Sequence, residues 1–549
     1  MKKILIVGGV AGGATAAARL RRLDENAEIV MFERGAHISF ANCGLPYYIG
    51  GVISKRQDLL LQTPDSFNRR FNIDVRVLSE VLSINRNTKT VEVKNLTNGG
   101  VYTENYDKLI LAPGGAPIRP PFIDANSKRI FTLRNVADTD KIKEYIIKNK
   151  PKNAAVVGGG FIGIEMAENL REAALDVSII ELSDQVIPPL DRDMVCDVHD
   201  QLRQQGVSLY LNNGIQKILE DDKGLNIILQ NGTLKADMAV LAIGVKPESS
   251  LAKDAGLNVN ERGGIVTDKR MCSSDPDIYA VGDAVEVRDF VTGQAAMIPL
   301  AGPANKQARI AADNISGIPS EYTGTQGSAV IKVFDMTVAS TGINEKTAKR
   351  LEINYDKIFL WTPGHAGYYP GSKSMSIKVI YDKGNGKILG AQMAGFDGVD
   401  KRCDVLATAI RAGMTAYDLT RLELCYAPPY SSAKDPVNMA GYVIENVLTG
   451  KVNNFHWHEL DALPRDGSVT LLDVRSPQEI AQGPVPGFKN IPLDSLREHI
   501  GELDKSRPVY IICHSGMRSY TASQILRHNG FAVYNLSGGY RLYSAVRKG

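Results

Sequence analysis

Two stretches of this chain begin alike, and what they share limits the fold more than any bulk property. Lys3–Leu23 reads KILIVGGVAGGATAAARLRRL, and Asn153–Leu170 reads NAAVVGGGFIGIEMAENL. Each is a short apolar run, a glycine turn and a stretch of helix-forming residues, which predicts strand, tight turn and helix. Each is followed by a second apolar strand ending on a carboxylate, Glu33 in EIVMFER and Glu181 in DVSIIELS. Glycines in the turn let backbone N–H groups approach a pyrophosphate resting against the positive helix end. The acid, about 20 residues further on, suits a ribose 2′-hydroxyl. The first turn fits G-x-G-x-x-G at Gly8 and Gly13 but has Val10 between them, followed by Ala11 and Gly12. The second fits throughout, at Gly158, Gly160 and Gly163. Glu181 would repel a 2′-phosphate and no arginine follows it closely, so NADH is expected over NADPH. Either motif alone also reads as a plain tight turn. Two in one chain predict an α/β protein with two Rossmann-like nucleotide-binding domains, one for each of two nucleotides.

At 549 residues the chain exceeds one core, and roughly three to four domains are expected. Lys plus Arg number 64 against 61 acidic residues, a balance that argues against a dedicated nucleic-acid surface. Six cysteines without paired spacing read as reduced thiols rather than a disulfide framework. No CxxC or Cys/His cluster points to a metal. The two N-terminal lysines and apolar run suggest a signal peptide, but the glycines and Arg19, Arg21 and Arg22 fit strand, turn and helix better. No later run approaches a membrane span, so the expected location is cytoplasmic, with no membrane partner.

Three more segments suit a two-nucleotide scheme. YDKLILAPGG (Tyr106–Gly115) and ADMAVLAIGVKPE (Ala236–Glu248) are strands running into glycine turns where chain would cross between domains. DIYAVGDAVE (Asp277–Glu286) places Asp283 after a strand, where it suits a helix N-cap and a flavin's ribityl or phosphate group, two roles that can hold at once. With Gly8–Gly13, Glu33, APGG, GGGFIGIE, AVGD and the later YAPPYSSAKDPVNMAGY, these residues resemble the pyridine nucleotide–disulfide oxidoreductase family over about 1–450. That resemblance implies FAD in the first cradle and NADH in the second. It assigns cofactor contacts to Gly8, Val10, Ala11, Gly12, Glu33, Arg34, Ala112, Arg134, Asp283, Gly158, Gly160, Ile162, Gly163, Glu165, Glu181 and Gly244, with Glu165 beside the nicotinamide.

Family members with a redox disulfide carry two cysteines five residues apart where this chain has SFANCGLPYYIGG. Here Cys43 is followed by Tyr48 at the second position, so the resemblance narrows to the single-cysteine branch. That branch holds NADH peroxidases and oxidases, and coenzyme A disulfide reductases. Peroxidase and oxidase members place a histidine in the first glycine loop, where this chain has Ala11; without that proton donor, peroxide cleavage is disfavoured. Thr15, Arg19 and Arg22 fall at i, i+4 and i+7 of the first helix and share a face. Such a stripe is commonly a solvated face, and it also suits the phosphates of coenzyme A. The coenzyme A disulfide reductases resemble the chain at these three positions and at Ser39, Asn42 and Cys43, and they imply substrate roles for Asn305 and Lys434. Phe71 stands near a position where some members use a lysine. By resemblance, residues from about 326 to 450 form an α+β dimerisation domain, and Tyr368 and Tyr426 reach the Cys43 of the other subunit in a homodimer. Their phenols would donate protons there, although Tyr368, with Tyr369 beside it, also reads as interface packing.

The chain begins afresh near residue 455. PVYIICHSGMRSYTASQILRHNGF is a strand, a loop and a helix, which places Cys513 under backbone N–H groups at a helix start, with Arg518 closing the loop. Such a cradle holds a thiolate or a persulfide. With LDVR and GFKNIP it resembles a rhodanese, and the four residues between Cys513 and Arg518 match the smaller loop that suits sulfur. Cys196, Cys272, Cys403 and Cys425 have no comparable setting and read as packing residues.

The expected divisions are 1–113 and 245–325 for FAD, 114–244 for NADH, 326–450 for dimerisation and 455–549 for an α/β rhodanese domain. The reading is a homodimeric FAD enzyme that uses NADH to reduce coenzyme A disulfide, coenzyme A persulfide or polysulfide through Cys43. Cys513 carries sulfane sulfur, and small sulfur species are the other partners. Two rivals stay open: an NADH oxidase or peroxidase cycling through a sulfenic acid, and a sulfur-carrier or redox-sensing protein.

Overall fold

A computed structural model describes residues 1–124 and 126–548. The chain divides into two compact units, Met1–Val186 with Gly206–Gly327, and Ile187–Gln205 with Ser328–Gly549. In the first, the sheet strands in chain order are β1 (Lys3–Val7), β2 (Glu28–Glu33), β3 (Asp74–Val77), β4 (Lys108–Leu111), β5 (Ile130–Thr132), β6 (Asn153–Val157), β7 (Asp176–Ile180), β8 (Val207–Tyr210), β9 (Met238–Leu241) and β10 (Ile278–Ala280). They form two five-stranded sheets, ordered β10-β4-β1-β2-β3 and β8-β7-β6-β9-β5. All pairings in both are parallel. Parallel strands covered on both faces need continuous apolar runs, and Ile4, Leu5 and Ile6 of β1 and Ala154, Ala155 and Val156 of β6 are buried accordingly.

The two sheets repeat one plan. β1 lies between β2 and β4, and β6 lies between β7 and β9, so each first strand ends at the point where strand order reverses. Crevices for nucleotides open there. The helices that follow, α1 (Ala11–Leu23) and α3 (Phe161–Glu172), start at those crevices, and the short helix α2 (Leu45–Gly50) packs against α3. A further helix, α4 (Ala301–Ile315), lies along α1. Small residues are buried on both helices, Ala14, Ala16 and Ala17 on α1 and Ala304, Ala308, Ala311 and Ala312 on α4, and small side chains permit close approach of two helices. The second sheet is inserted between β4 and β10 of the first. Where the chain enters and leaves it, Gly115–Pro117 and Val245–Pro247 pair antiparallel, as the two glycine-turn strands foretold.

In the second unit, β11 (Ala329–Val333), β12 (Met336–Gly342), β13 (Tyr355–Pro363), β14 (Ser374–Asp382) and β15 (Ile388–Gly395) form an antiparallel sheet ordered β11-β12-β15-β14-β13. It is the α+β layer expected for residues from about 326. A parallel C-terminal sheet follows, with β16 (Asn454–Phe455), β17 (Thr470–Asp473), β18 (Lys489–Asn490), β19 (Val509–Ile512) and β20 (Val533–Leu536) ordered β16-β20-β19-β17-β18. The last helix of interest here is α5 (Met517–His528), between β19 and β20.

The C-terminal domain docks on β13. Trp361 Nε1 donates to Gly538 O at 3.0 Å, the Phe359 N–H donates to Ser537 Oγ at 3.3 Å, and the Arg541 guanidinium lies 3.6 Å from the Trp361 ring centroid. Met194, Phe359 and Leu542 form a buried apolar patch beside them. Among the described residues no helix is long and apolar enough to cross a membrane. One expectation is corrected: Asp283 caps no helix. It sits in a turn after β10, and the next helix, α4, begins at Ala301 and reaches that turn through Gln307 Oε1, which accepts from the Gly282 N–H at 2.8 Å.

Candidate active site

The two glycine turns match atom for atom. Gly8 and Gly158 hold φ of +101° and +107°, and their N–H groups donate to Phe32 O and Ile180 O, each at 2.8 Å. A side chain would place Cβ 2.1 Å from Ala112 O at Gly8 and 2.3 Å from Ala242 O at Gly158. Only glycine fits there. At Gly13 and Gly163 a Cβ would lie 1.8 Å and 1.9 Å from Gly8 O and Gly158 O, so helix and turn also touch without side chains. The next N–H groups, of Gly9 and Gly159, donate to Glu33 Oε2 at 2.8 Å and Glu181 Oε2 at 2.7 Å. Both carboxylates therefore sit at the rim of their own cradle. A Cβ at Gly160 meets nothing within 4 Å, which explains why Val10 is tolerated at the corresponding place in the first turn. Helices α1 and α3 both start without a side-chain cap, from Val10 and Gly160, leaving N–H groups free for phosphate oxygens. The residues present fit a dinucleotide in each cradle.

Cys43 lies in a short turn of 3₁₀ helix, Asn42–Gly44, leading into α2. The preceding Ser39, at φ +45°, donates its N–H to Gly9 O at 2.8 Å and so ties this segment to the first cradle. Cys43 is exposed and Ser39 and Asn42 flank it, so the thiol is available rather than buried filler. The residue is accessible at the surface, but neighbouring atoms partly desolvate the sulfur and raise its pKa, and the carboxylates of Glu165 and Asp283 add to that rise. Glu165 belongs to α3 of the second cradle and Asp283 to the turn after β10. Burial and the neighbouring Glu168 push Glu165 up to about 7, and burial with the same two acids pushes Tyr47 up to about 12. Burial also raises Asp283, opposed by Arg134. Tyr48, at the place of a second cysteine, is held by Lys143: its ammonium lies 3.7 Å from the ring centroid and donates to the Tyr48 carbonyl at 2.5 Å.

On α1 the predicted stripe is divided. Thr15 Oγ1 donates to Asn305 Oδ1 at 2.7 Å, and Arg19 Nε donates to Asp313 Oδ1 at 2.8 Å, both across to α4. Arg22 is exposed. Thr15 and Asn305 are thus brought together, while Arg19 already has a carboxylate partner. Arg34 and Arg134 also converge, on a residue the sequence reading missed: Glu248 accepts from Arg34 Nη2 at 3.0 Å and from Arg134 Nη2 at 2.8 Å. Gly244, at φ +113°, precedes the strand Val245–Pro247 that carries the chain to Glu248, and its carbonyl accepts from the Ile118 N–H at 3.0 Å. Ile162 is exposed at the start of α3.

In the second unit, Tyr368 and Tyr426 share a hydrogen bond between their hydroxyls at 2.8 Å, and both rings are exposed. Tyr369 instead packs its ring edge-on against His365 at 5.6 Å, which distinguishes the two adjacent tyrosines. Lys434 is exposed. Cys425, read as packing, is also exposed, because its segment lies on the surface beside Tyr426; Cys196 and Cys403 are buried as expected.

Cys513 directly follows β19 and is fully buried. Its Sγ accepts from the Gly516 N–H at 3.1 Å and from Ser519 Oγ at 3.2 Å, so the loop does aim donors at the sulfur. Gly516, at φ +101°, starts α5. Arg518 closes the loop differently from the sequence reading. Its Nη1 and Nη2 donate to Glu479 Oε2 at 2.7 Å and Oε1 at 2.5 Å, a bidentate pair that holds Glu479 down to about 2.

A thiol between two nucleotide cradles, and a second thiol in a donor-lined loop, define a nucleotide-dependent thiol oxidoreductase carrying a second sulfur domain. The comparisons with known proteins make that class particular. The family described as pyridine nucleotide-disulphide oxidoreductase matches residues 2–308, its dimerisation domain residues 328–436, and the rhodanese-like domain residues 456–545. The chain belongs to the pyridine nucleotide–disulphide oxidoreductase family and carries a C-terminal rhodanese domain. It is 38% identical over 444 residues to the coenzyme A disulfide reductase of Staphylococcus haemolyticus, covering 80% of this chain and 99% of that one. The crystal structure described as reduced Bacillus anthracis CoADR-RHD superposes with a TM-score of 0.97 at 52% identity, covering 100% of this chain and 98% of that one. An NAD-dependent persulfide reductase from A. fulgidus gives 0.92 at 38% identity, covering 98% and 100%.

Proposed function

We propose that this enzyme is an FAD-dependent, NADH-preferring reductase of coenzyme A disulfide, coenzyme A persulfide or polysulfide, with Cys43 as the redox thiol and Cys513 as a sulfane carrier. The observation that carries the reading is the placement of Cys43. It is an accessible thiol on a segment bonded to the first cradle and facing the carboxylate of the second cradle's helix. When bound in the two cradles, FAD and NADH supply the electron pair. Gly8, Val10, Ala11, Gly12, Glu33, Arg34, Ala112, Arg134 and Asp283 would hold FAD, and Gly158, Gly160, Ile162, Gly163, Glu165, Glu181 and Gly244 would hold NADH.

The Cys43 thiolate attacks one sulfur of coenzyme A disulfide, the S–S bond breaks, and coenzyme A leaves as a thiolate while a Cys43–coenzyme A mixed disulfide forms. Two electrons and one proton then return Cys43 to the thiolate and free the second coenzyme A as a thiol. Glu165, with a pKa of about 7, is in either protonation state at working pH and so gives or takes a proton beside Cys43. In a homodimer, Tyr368 and Tyr426 donate to the sulfur leaving Cys43 of the partner subunit. Thr15, Arg19, Arg22, Ser39, Asn42, Asn305 and Lys434 hold coenzyme A. At Cys513, the thiolate takes the outer sulfur of a persulfide and releases the donor thiolate. Tethering raises the concentration of each sulfur site at the other.

Intact mass spectrometry of the enzyme exposed to coenzyme A disulfide tests the reading. A coenzyme A adduct on Cys43, released by reductant and absent in Cys43→Ser, is expected. No adduct at Cys43, or unchanged reduction of the sulfur substrates by Cys43→Ser, would refute it.

A further inference from the structure

The charges around Cys513 are arranged in an unusual way for a loop that binds anions. The ionised groups felt by His514, the residue after Cys513, are Glu479, Arg541, Arg518 and Arg475. Two of the three guanidiniums are bound by a carboxylate. Arg518 forms the bidentate pair with Glu479. Arg475 is buried, donates through Nε and Nη2 to Asp473, and lies 3.9 Å from the Tyr540 ring centroid. Arg541 is stacked on Trp361. His514 itself is kept neutral near pH 7, since burial lowers its pKa. What remains for an incoming anion is the set of backbone and hydroxyl donors, of which the Gly516 N–H and Ser519 Oγ already point at the sulfur. Such donors stabilise one negative charge on a thiolate or a terminal persulfide. The loop's own cation, Arg518, is already engaged by Glu479 and is not available for a second charge.

Glu479 is not held there only to satisfy Arg518. Its Oε2 also accepts from the Ser476 N–H at 2.9 Å, as one half of a capping box on the helix Pro477–Ala481. The carboxylate is therefore fixed by a second, independent contact, and its negative charge is felt at His514, next to Cys513.

We propose that Glu479 sets the donor class of the Cys513 site: by engaging Arg518 it leaves the loop able to accept one negative charge, so the site takes sulfane sulfur from thiol persulfides and hydropolysulfides and rejects the thiosulfate dianion. This rests on the reading of Cys513 as a sulfur carrier and adds the substrate class. With a persulfide, the Cys513 thiolate attacks the outer sulfur of R–S–SH, the R–S to S bond breaks, Cys513–S–SH forms and R–S⁻ departs. With thiosulfate the same attack would release sulfite, and both the donor and the departing sulfite carry two negative charges past Glu479.

The test uses the full-length FAD enzyme, oxygen-free, with the Cys513 peptide followed by mass spectrometry for the gain of one sulfur atom. The probes are glutathione persulfide and thiosulfate. The wild-type enzyme is expected to load from glutathione persulfide at least about 10-fold faster than from thiosulfate at equal concentration. Glu479→Gln keeps a capping acceptor and removes the charge. It is expected to raise the ratio of thiosulfate loading to persulfide loading by about 10-fold, a gain that added salt diminishes. Wild-type loading from thiosulfate as fast as from persulfide overturns the proposal, as does a Glu479→Gln enzyme without the gain. Loading from neither donor overturns instead the reading of Cys513 as a carrier, which separates the two failures.

Discussion

Glu165 is where the account makes its most quantitative demand. Burial and Glu168 raise its pKa from 4.5 to about 7, so the folded protein binds a proton more tightly than the unfolded chain does. The sign follows. Below pH 4.5 the carboxyl is protonated in both states, and its contribution to stability is fully present. Between pH 4.5 and 7 the unfolded chain ionises while the folded one does not, so stability falls as pH rises and levels off above about 7. At about 1.4 kcal/mol per pH unit the loss reaches roughly 3 kcal/mol. Glu165→Gln keeps size and hydrogen bonding but does not titrate. It should match the wild type near pH 4.5 and become more stable, by up to about 3 kcal/mol, at pH 8. Native-state hydrogen exchange of the buried amides in β6 and α3 reads this locally in the FAD enzyme without NADH, after correction for intrinsic exchange rates. A stability difference between variant and wild type that stays constant from pH 5 to pH 8 would refute the reasoning.

Three further outcomes are expected. Gly158→Ala sets a Cβ 2.3 Å from Ala242 O at φ +107° and should raise KM for NADH at least about 10-fold while FAD stays bound, as read by kinetics and flavin absorbance. Lys378, fully buried, pairs with Asp191 at 3.0 Å, Asp193 at 2.8 Å and Glu345 at 2.8 Å, so Lys378→Met should destabilise the second unit by about 3–5 kcal/mol in urea titrations, because three carboxylates lose their shared cation. Tyr368→Phe and Tyr426→Phe should each lower kcat for coenzyme A disulfide by at least about 10-fold without changing NADH binding; an unchanged kcat in both would leave the pair as interface packing alone.

Much of the site was legible in the sequence, and the reasons are local. A turn that must touch a phosphate excludes side chains, so Gly8, Gly13, Gly158 and Gly163 announce themselves by spacing, and Cys513 does so by lying between a strand and a helix. Residues that act through distant partners carry no such mark. Glu248 looks like any acid after a proline, yet it gathers Arg34 and Arg134 from turns that follow two separate strands. Arg518 suggested an anion site until its partner, Glu479, came to it from another element. Lys378 reads as the polar position of an alternating strand, and only the carboxylates of Asp191, Asp193 and Glu345 explain its burial. Of the two roles read for Asp283, the N-cap fails because the chain makes a turn after the strand and the helix begins only at Ala301.

The central claim is that Cys43 serves a reductase of coenzyme A-linked sulfur rather than an oxidase or peroxidase. NADH oxidation measured side by side with coenzyme A disulfide, coenzyme A persulfide, polysulfide, peroxide and oxygen tests it most directly. The account predicts the highest kcat/KM for one of the sulfur substrates, abolished in Cys43→Ser. A preference for peroxide or oxygen of more than about 10-fold over every sulfur substrate would contradict it.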